Sequence, residues 1–361
     1  MTSIAQPAPV VDPSETEIAP AESDNDAPSA GLSRWESYSF EITRGFLYLI
    51  ARVISLTGLY QVGRMFGIAE WLVDYHRRRR VTRQVVRLIG TSASPAAVRQ
   101  AVRRHFIRLR CDKMFYLIMD RLPRKRLMRR LTIANRAVLD SALARGHGVY
   151  LALSHLGSLY VTIGILVEFG YRVAGIRATK FGAVWRFVQT KLDQKDRPRI
   201  EYFYSNTFPR PIYRRLNDNY IVASLADVHV VKDGRQRTVE VDLFDERRSI
   251  LAGPFQIAMR CGSPIVQAMV RALPNFRYEI ELMPLLPDPS AVRAHDSTVA
   301  VAADQPPRAD SPTARTPSSD DRAASSDDRP ASSDLLADTV RRYAANVERF
   351  GRRYPCHLSR Y

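Results

Sequence analysis

The sequence predicts an α/β protein in which helices cover both faces of a mostly parallel central sheet, with amphipathic helices before the sheet. Short β-branched runs alternate with helical stretches over residues 148–283, which is typical of parallel sheets. Apolar and basic residues recur at helical spacing in residues 45–80 and in Ala96–Leu122, where Pro123 ends the pattern. A last helix, predicted over Leu335–Phe350 within residues 335–361, is expected to pack on the core.

Two segments have the composition of disordered chain. Residues 1–33 contain no Lys or Arg and six acidic residues among Pro, Ala and Ser, which predicts a disordered acidic tail. The tail has no basic start followed by an apolar run, so we do not expect a secretory signal peptide. Residues 287–334 include the quasi-repeat SSDDRAASSDDRPASSD. Such a composition cannot offset the entropy of ordering, which predicts a disordered insertion.

Residues 34–136 are expected to form a basic helical region that associates with a membrane. Residues 45–80 are strongly apolar, but arginines interrupt them too often for an ordinary membrane-spanning helix. Trp71, Tyr75 and the four arginines at residues 77–80 are typical of a helix that lies at a membrane surface. A core helix whose arginines reach out to solvent is the alternative.

Positive charge is concentrated in residues 77–136, which we call the basic belt. The belt holds 19 Lys and Arg residues against two Asp residues, so it alone equals the net charge of +17 of the whole chain. Such a belt suits anionic lipid, an acidic protein or nucleic acid, and a merely solvated helical face is the alternative. No recognisable nucleic-acid-binding motif is present, so we expect no specific nucleic acid partner.

Residues 137–286 are expected to form the α/β core. Seven runs bounded by turn residues predict its strands: Gly148–Ser154, Tyr171–Ala178, Ile200–Tyr204, Tyr220–Asp227, Thr238–Phe244, Pro264–Arg271 and Phe276–Met283. The last two are joined through ALPN and predict an antiparallel hairpin. Cys111, Cys261 and Cys356 lack metal-ligand or redox spacing, which predicts unpaired thiols in a reducing compartment. With no metal or nucleotide motif in the sequence, we expect no bound metal.

A histidine stands where open α/β sheets place their chemistry. The predicted strand YLAL is followed by Ser154 and His155, and Gly157 then turns the chain into an apolar helix. Ligands of such sheets bind at the carboxyl ends of the strands, and histidine is a common general base. No carboxylate follows within a helical turn, so the local sequence does not identify the group that works with His155.

The order of these motifs resembles the bacterial lipid A biosynthesis acyltransferases, the lauroyl and myristoyl transferases of the lysophospholipid acyltransferase superfamily. In that family a strand ends in His, with Gly two residues later and an acidic residue five later. His155 and Gly157 match, whereas Tyr160 replaces the acid. Residues 225–272 resemble a downstream family segment, with matched positions at Asp227, Asp242, Phe244, Gly253, Gly262, Pro264 and Arg271, and with Asp245 in place of a glycine.

The resemblance implies a membrane-associated enzyme on the cytoplasmic face of the inner membrane. It would move an acyl chain from an acyl thioester, carried by acyl carrier protein or CoA, to a hydroxyl or amine of a lipid A-like glycolipid or related amphiphile. No cofactor beyond the acyl donor is implied. Acyl carrier proteins are acidic, so the basic belt is expected to dock the donor. The substrate-binding residues implied are Gly157, Ser158, Tyr160, Arg177, Lys180 and Arg271.

Acyl transfer to a hydroxyl needs a general base, a carboxylate that orients it and donors for the oxyanion. His155 supplies the base, and backbone amides at the start of the following helix, with a nearby cation, are expected to hold the oxyanion. Asp227 ends a neighbouring strand and is the best candidate for the replacement acid. Three hypotheses remain at this point: His155 works with a relocated acid, it works slowly alone, or it persists in an inactive homologue that binds lipid or partners an active enzyme.

Overall fold

The computed structural model describes residues 33–90, 92–177, 187, 200–204, 209–227, 237–286 and 330–358. The predicted acidic tail, except its last residue Ser33, and most of the predicted insertion lie outside these residues. The last helix begins at Pro330 rather than at the predicted Leu335. Proline is favoured in the first turn of a helix, because its missing N–H would have no helical acceptor there, and this explains the earlier start.

Four helices form the first part of the described chain: α1 (Arg34–Val53), α2 (Ser55–Val73), α3 (Tyr75–Ile89) and α4 (Pro95–Ile118). Ser33 and Glu36 form a capping box at the start of α1. The side chains of Asp74 and Ser94 accept hydrogen bonds from the first turns of α3 and α4. Each of these three caps satisfies amide groups that the helix itself cannot.

Two of these helices, α1 and α2, expose large apolar side chains. On α1 these side chains recur three or four residues apart: Trp35, Tyr38, Ile42, Phe46, Leu49 and Val53. On α2 and at the start of α3 they are Met65, Phe66, Leu72, Val73 and Tyr75. We call the two sets together the exposed apolar face. Leu47 and Leu59 of the same helices are buried in the core. Within the described part of the chain, no helix combines the length and apolarity needed to cross a membrane.

The remaining helices and the strands of the described chain follow α4. The helices are α5 (Arg124–Met128), α6 (Arg136–Leu143), α7 (Leu159–Glu168), α8 (Arg210–Asn217), α9 (Gly253–Cys261) and α10 (Pro330–Arg353), with 3₁₀ turns at Met119–Arg121 and Pro355–His357. The strands are β1 (Leu131–Ala134), β2 (Val149–Leu153), β3 (Val173–Arg177), β4 (Glu201–Tyr204), β5 (Ile221–Leu225), β6 (Thr238–Leu243), β7 (Glu246–Leu251), β8 (Ile265–Leu273) and β9 (Arg277–Leu286).

Seven of these strands form one sheet in the order β1-β9-β8-β2-β5-β3-β4. Strands β8 and β9 pair antiparallel, as predicted, and the other neighbours in this sheet pair parallel. Alternate residues of β2 enter different cores. Leu151 packs with α1, α2, α4 and α7, whereas Tyr150 packs with α3, α9 and α10. The prediction of a mostly parallel sheet with helices on both faces is therefore confirmed.

Two features of the sheet differ from the sequence prediction. The run predicted over Thr238–Phe244 does form β6, but it pairs with β7 in a separate two-stranded antiparallel sheet. Neither β1 nor β7 was predicted. Strand β1 has only four residues and lies inside the basic belt, and β7 begins with Glu246-Arg247-Arg248, whose charges conceal its period. Short or charged strands that are partly exposed carry little periodic signal.

Candidate active site

The carboxyl ends of β2 and β5 bring His155 and Asp227 together. The two strands pair in parallel register through Leu153 and Leu225, so the residues that follow lie at one edge of the sheet. Nδ1 of His155 lies 2.8 Å from Oδ1 of Asp227. Asp227 is only 3% exposed, whereas the side chain of His155 is 17% exposed. The imidazole thus has one nitrogen on a buried carboxylate and is partly open to solvent.

The carboxylate fixes the tautomer of His155. An ionised carboxylate only accepts hydrogen bonds, so Nδ1 is the nitrogen that carries the proton. The neutral ring then has its lone pair on Nε2. No described residue hydrogen-bonds to Nε2, which leaves this nitrogen able to accept a proton from a bound molecule.

Asp227 is itself held in place by the loop that it orients. Its Oδ2 accepts hydrogen bonds from the Ser154 hydroxyl at 2.9 Å and from the backbone N–H of His155 at 2.8 Å. The Ser154 hydroxyl oxygen also accepts from the N–H of Leu156 at 3.0 Å. These bonds satisfy the buried carboxylate and limit its rotation, as its burial requires.

Gly157 is needed for the turn that follows. Its φ is +102°, and a Cβ at this position would lie 2.6 Å from the carbonyl oxygen of Val270 on β8. Its N–H donates to the carbonyl of His357 at 2.8 Å, and the N–H of Ser158 donates to that of Val270 at 3.2 Å. Both amides therefore have acceptors inside the protein. Our expectation for the oxyanion concerns the amides at the start of the next helix, and these two bonds do not test it.

A buried polar cluster supports the turn from α4. Arg108 donates to Oδ2 of Asp112 at 2.7 Å, and the Ser158 hydroxyl donates to the same oxygen at 2.7 Å. Tyr278 on β9 donates to Oδ1 at 3.0 Å. Burial raises the pKa of Asp112, and Arg108 opposes that effect. The hydroxyl of Ser158, which we expected to bind substrate, is therefore engaged inside the protein.

Sequence reasoning missed Arg108 and Asp112 because both lie in the basic belt, where they resemble surface charges. The sequence did contain one indication that Asp112 is not a surface residue. Asp112 is one of two acidic residues in a segment with 19 basic ones. An isolated acid within such a segment favours a specific ion pair over a solvated surface.

The turn is closed from the other side by the 3₁₀ turn Pro355–His357 and the residue after it. Leu358 forms a β-bridge with Leu156. Arg108 donates to the carbonyls of Cys356 and Leu358 at 2.9 and 3.0 Å. Nε2 of His357 accepts the N–H of Ala272 at 3.0 Å. Together, α4, β8 and residues 355–358 leave the His155 turn little freedom to move.

Two histidines beside Arg108 are buried in neutral form. Burial, with Arg108 and Arg77, lowers the pKa of His105 to about 3. Burial, with Arg108 and Arg271, lowers the pKa of His357 well below its usual value. Neither ring is oriented by a carboxylate in the described structure, so they differ from His155 in the one feature that suits a general base.

The other predicted site residues are less well placed or lie outside the described atoms. Arg271 donates to Glu279 at 2.9 Å and to the Tyr354 hydroxyl at 2.8 Å, so the structure favours internal pairing over substrate binding. Tyr160 lies in the first turn of α7 and Arg177 ends β3, but the side chains of both lie outside the described residues. Lys180 lies outside them entirely. Within the described ranges, no His, Cys, Asp and Glu side chains group as a metal site would require.

The sequence of this chain matches one known protein family. A family model described as bacterial lipid A biosynthesis acyltransferase matches residues 43–303. The match covers most of the chain and includes both His155 and Asp227. The comparison with curated proteins gives no match.

Proposed function

The chain belongs to the bacterial lipid A biosynthesis acyltransferase family, and from that premise we propose that it transfers an acyl chain from an acyl thioester to a hydroxyl or amine of a lipid A-like glycolipid or related amphiphile, with His155 as general base. The contact between Nδ1 of His155 and Oδ1 of Asp227 supports this proposal most directly. It supplies the orienting acid that Tyr160 does not.

The proposed reaction follows from this pair. Nε2 of His155 removes the proton of the acceptor hydroxyl as its oxygen attacks the thioester carbonyl carbon. Asp227 stabilises the imidazolium that results. When the tetrahedral intermediate collapses, the carbon–sulfur bond breaks and the imidazolium returns the proton to the departing sulfur. The acyl group is then an ester on the acceptor, and the donor leaves as a free thiol.

The oxyanion needs a stabilising group other than the amides of Gly157 and Ser158, which have internal acceptors. We assign this role to the amino-terminal end of α7, which begins at Leu159, four residues after His155. The first turn of a helix carries partial positive charge that favours an adjacent anion. In this proposal Gly157 and Ser158 shape the turn and do not bind substrate directly.

The exposed apolar face supports membrane association. Large apolar side chains that recur every three or four residues along α1 form a stripe of the kind that enters the headgroup region of a bilayer. The adjoining helix α3 carries the arginines of residues 77–80, which suit anionic headgroups. We propose that α1 and α2 lie in the interface of the inner membrane on its cytoplasmic face, where the acyl donor is made.

The donor is proposed to be acyl carrier protein, or CoA, with no further cofactor. Most of the arginines of α3 and α4 are exposed, and acyl carrier proteins are strongly acidic. Opposite charge of this kind raises association rates and orients the encounter, and the effect falls with salt. The donor is thus expected to approach from the basic belt.

The test is mass spectrometry of total lipids from cells that make the intact chain, the His155→Ala variant, or neither. We expect an acylated species that appears with the intact chain and is lost in His155→Ala at equal membrane levels. His76→Ala is the matched control, because His76 is exposed on α3 away from the site. If all cells give the same lipid profile, the catalytic proposal fails. The hypothesis of an inactive homologue, which the replacement at Tyr160 favours, then takes its place.

A further inference from the structure

A cavity of about 920 Å³ opens beside the His155 turn. Its walls come from α2, from α4, from the turn between β8 and β9, and from residues 356–357. Its charged lining consists of Arg64, Arg99, Arg103, Arg104, Arg108 and Asp112. The cavity is therefore strongly positive, and its volume is in the range of small-molecule sites.

Most of this charge has no internal counterpart. Asp112 is neutralised by Arg108. In the described structure Arg99, Arg103 and Arg104 form no ion pair, and Arg64 hydrogen-bonds only to Gln61, at 2.8 Å. Cationic side chains that converge on a concave surface create a local field that attracts anions.

The arrangement along α4 points in the same direction. Arg99 and Arg103 are four residues apart, so their side chains lie on the same side of the helix. Like charges at this spacing destabilise a helix. A bound anion would remove that repulsion, since it places negative charge between the guanidinium groups. Arginine also matches phosphate oxygens with paired N–H donors.

We propose that this cavity binds a phosphate group of one of the two substrates. The inference rests on the proposed function, because it takes the cavity to be a subsite of that reaction. A phosphate reaches the enzyme in two ways, on a phosphorylated glycolipid acceptor or on the phosphopantetheine arm of the acyl donor. Trp71, Tyr60 and Phe276 also line the cavity and offer apolar contact to the part of the ligand next to its phosphate.

Two residues that line the cavity also contact the His155 turn. Arg108 lines the cavity and lies 3.5 Å from the carbonyl oxygen of Gly157. His357 also lines it, and its carbonyl accepts the N–H of Gly157. A phosphate held by the arginines would therefore anchor its substrate beside the turn that carries the general base.

The test measures binding without acyl transfer. Isothermal titration calorimetry of the full chain in neutral detergent uses sodium pyrophosphate as the probe. The triple variant Arg99→Gln, Arg103→Gln, Arg104→Gln removes three exposed cavity arginines. The matched control is Arg79→Gln, Arg80→Gln, Arg83→Gln, which removes the same charge from exposed positions on α3 outside the cavity. Circular dichroism establishes that both variants are folded.

We expect saturable binding that weakens about 10-fold or more in the cavity variant, since the variant loses three guanidinium groups that can form charge-assisted hydrogen bonds. The control is expected to change the dissociation constant by less than about 2-fold, because screening limits the effect of distant charges. Equal weakening in both variants would overturn the proposal, since it would show general attraction to the basic belt. Absence of saturable binding to the intact chain would overturn it too.

Competition then separates the two sources of phosphate. Displacement of pyrophosphate by glucosamine 1-phosphate but not by 4′-phosphopantetheine assigns the cavity to the acceptor, and the reverse assigns it to the donor. If neither compound displaces the probe, the cavity is not a substrate subsite. These measurements need no turnover. The proposal for the cavity can therefore be refuted while the lipid profiles support catalysis, or supported while the catalytic proposal fails.

Discussion

Nδ1 of His155 lies 2.8 Å from Oδ1 of Asp227, although 72 positions separate the two residues in the chain. The resemblance described above led us to expect an acid five residues after the histidine, where this chain has Tyr160. Parallel pairing of β2 with β5 brings a carboxylate to the same histidine from the neighbouring strand. The contact places Asp227 where a carboxylate holds a proton on Nδ1.

Replacing Asp227 with Asn is the first prediction. The amide keeps the size of the side chain but cannot hold the tautomer or stabilise the imidazolium. We expect kcat to fall by about 10²- to 10⁴-fold with little change in KM, by analogy with serine hydrolases. Acyl transfer by purified variants measures this. Ser154→Ala is the control, because it removes one hydrogen bond to Asp227 and keeps the carboxylate. A loss no larger than that of the control would refute the role of Asp227.

Replacing Gly157 with Ala should cost more than an ordinary loop substitution. The new Cβ would meet the Val270 carbonyl oxygen at 2.6 Å, in addition to the strain of φ at +102°. Gly170→Ala isolates the strain, since Gly170 has φ of +91° and a Cβ there would have no atom within 4 Å. We expect about 1–3 kcal/mol from strain alone in the control and a larger loss in Gly157→Ala. Urea unfolding compares the two variants, and equal losses would argue against the steric contact.

Replacing Arg108 with Met leaves the buried charge of Asp112 without its cation. We expect the free energy of unfolding to fall by about 3–5 kcal/mol. Arg342→Met is matched, because Arg342 pairs with Asp338 at the same i,i+4 spacing but both side chains are largely exposed. Such a pair is worth at most about 1 kcal/mol. Denaturant titration measures the free energy of unfolding of both variants. Similar small decreases in the two would contradict a supporting role for the buried pair.

The stability of the fold should decline in acid because of its buried neutral histidines. The folded pKa of His105 is about 3, whereas an unfolded histidine titrates near 6.5. Between these values the unfolded chain binds more protons, so the stability is full above about pH 6.5 and is lost as the pH falls below it. The slope is at most about 1.4 kcal/mol per pH unit for each such histidine.

His105→Gln tests this assignment through the pH slope of stability and not through stability itself. The free energy of unfolding should change less between pH 7.0 and pH 5.5 in the variant than in the intact chain. The two slopes should differ by at most the slope for one proton, about 1.4 kcal/mol per pH unit. His357 contributes in the same direction in both proteins, because burial also keeps its pKa well below the usual range. An unchanged slope would mean that His105 is already protonated in the folded state.

Much of the fold could be predicted because its sheet is buried on both faces. Strands such as β2, whose five residues are all buried, read as short apolar runs with turn residues around them. The same logic made Asp227 a candidate, since it ends a predicted strand that was expected to neighbour the strand before His155. By contrast, β7 begins with three consecutive charged residues and has no apolar run long enough to detect.

The residues that hold the His155 turn in place could not be predicted from the sequence, for a different reason. Arg108 and Asp112 look like two of the many polar residues of the basic belt, and only the packing of α4 against the His155 turn buries them. The internal acceptors for the amides of Gly157 and Ser158 come from Val270 and His357, which lie far away in the chain. Contacts between residues so distant in sequence leave no local pattern.

The contact between Leu358 and Leu156 also sets an order of events during synthesis. A ribosome makes the chain from its amino terminus, so His155 and Asp227 both emerge long before residues 355–358 exist. Until then, the turn after His155 lacks both its β-bridge and the carbonyl acceptor of Gly157. A nascent chain therefore holds both residues of the pair before it holds the segment that fixes them. A message that stops after Arg353 would encode a protein with the pair in its sequence but without the bonds that residues 356–358 make to the turn.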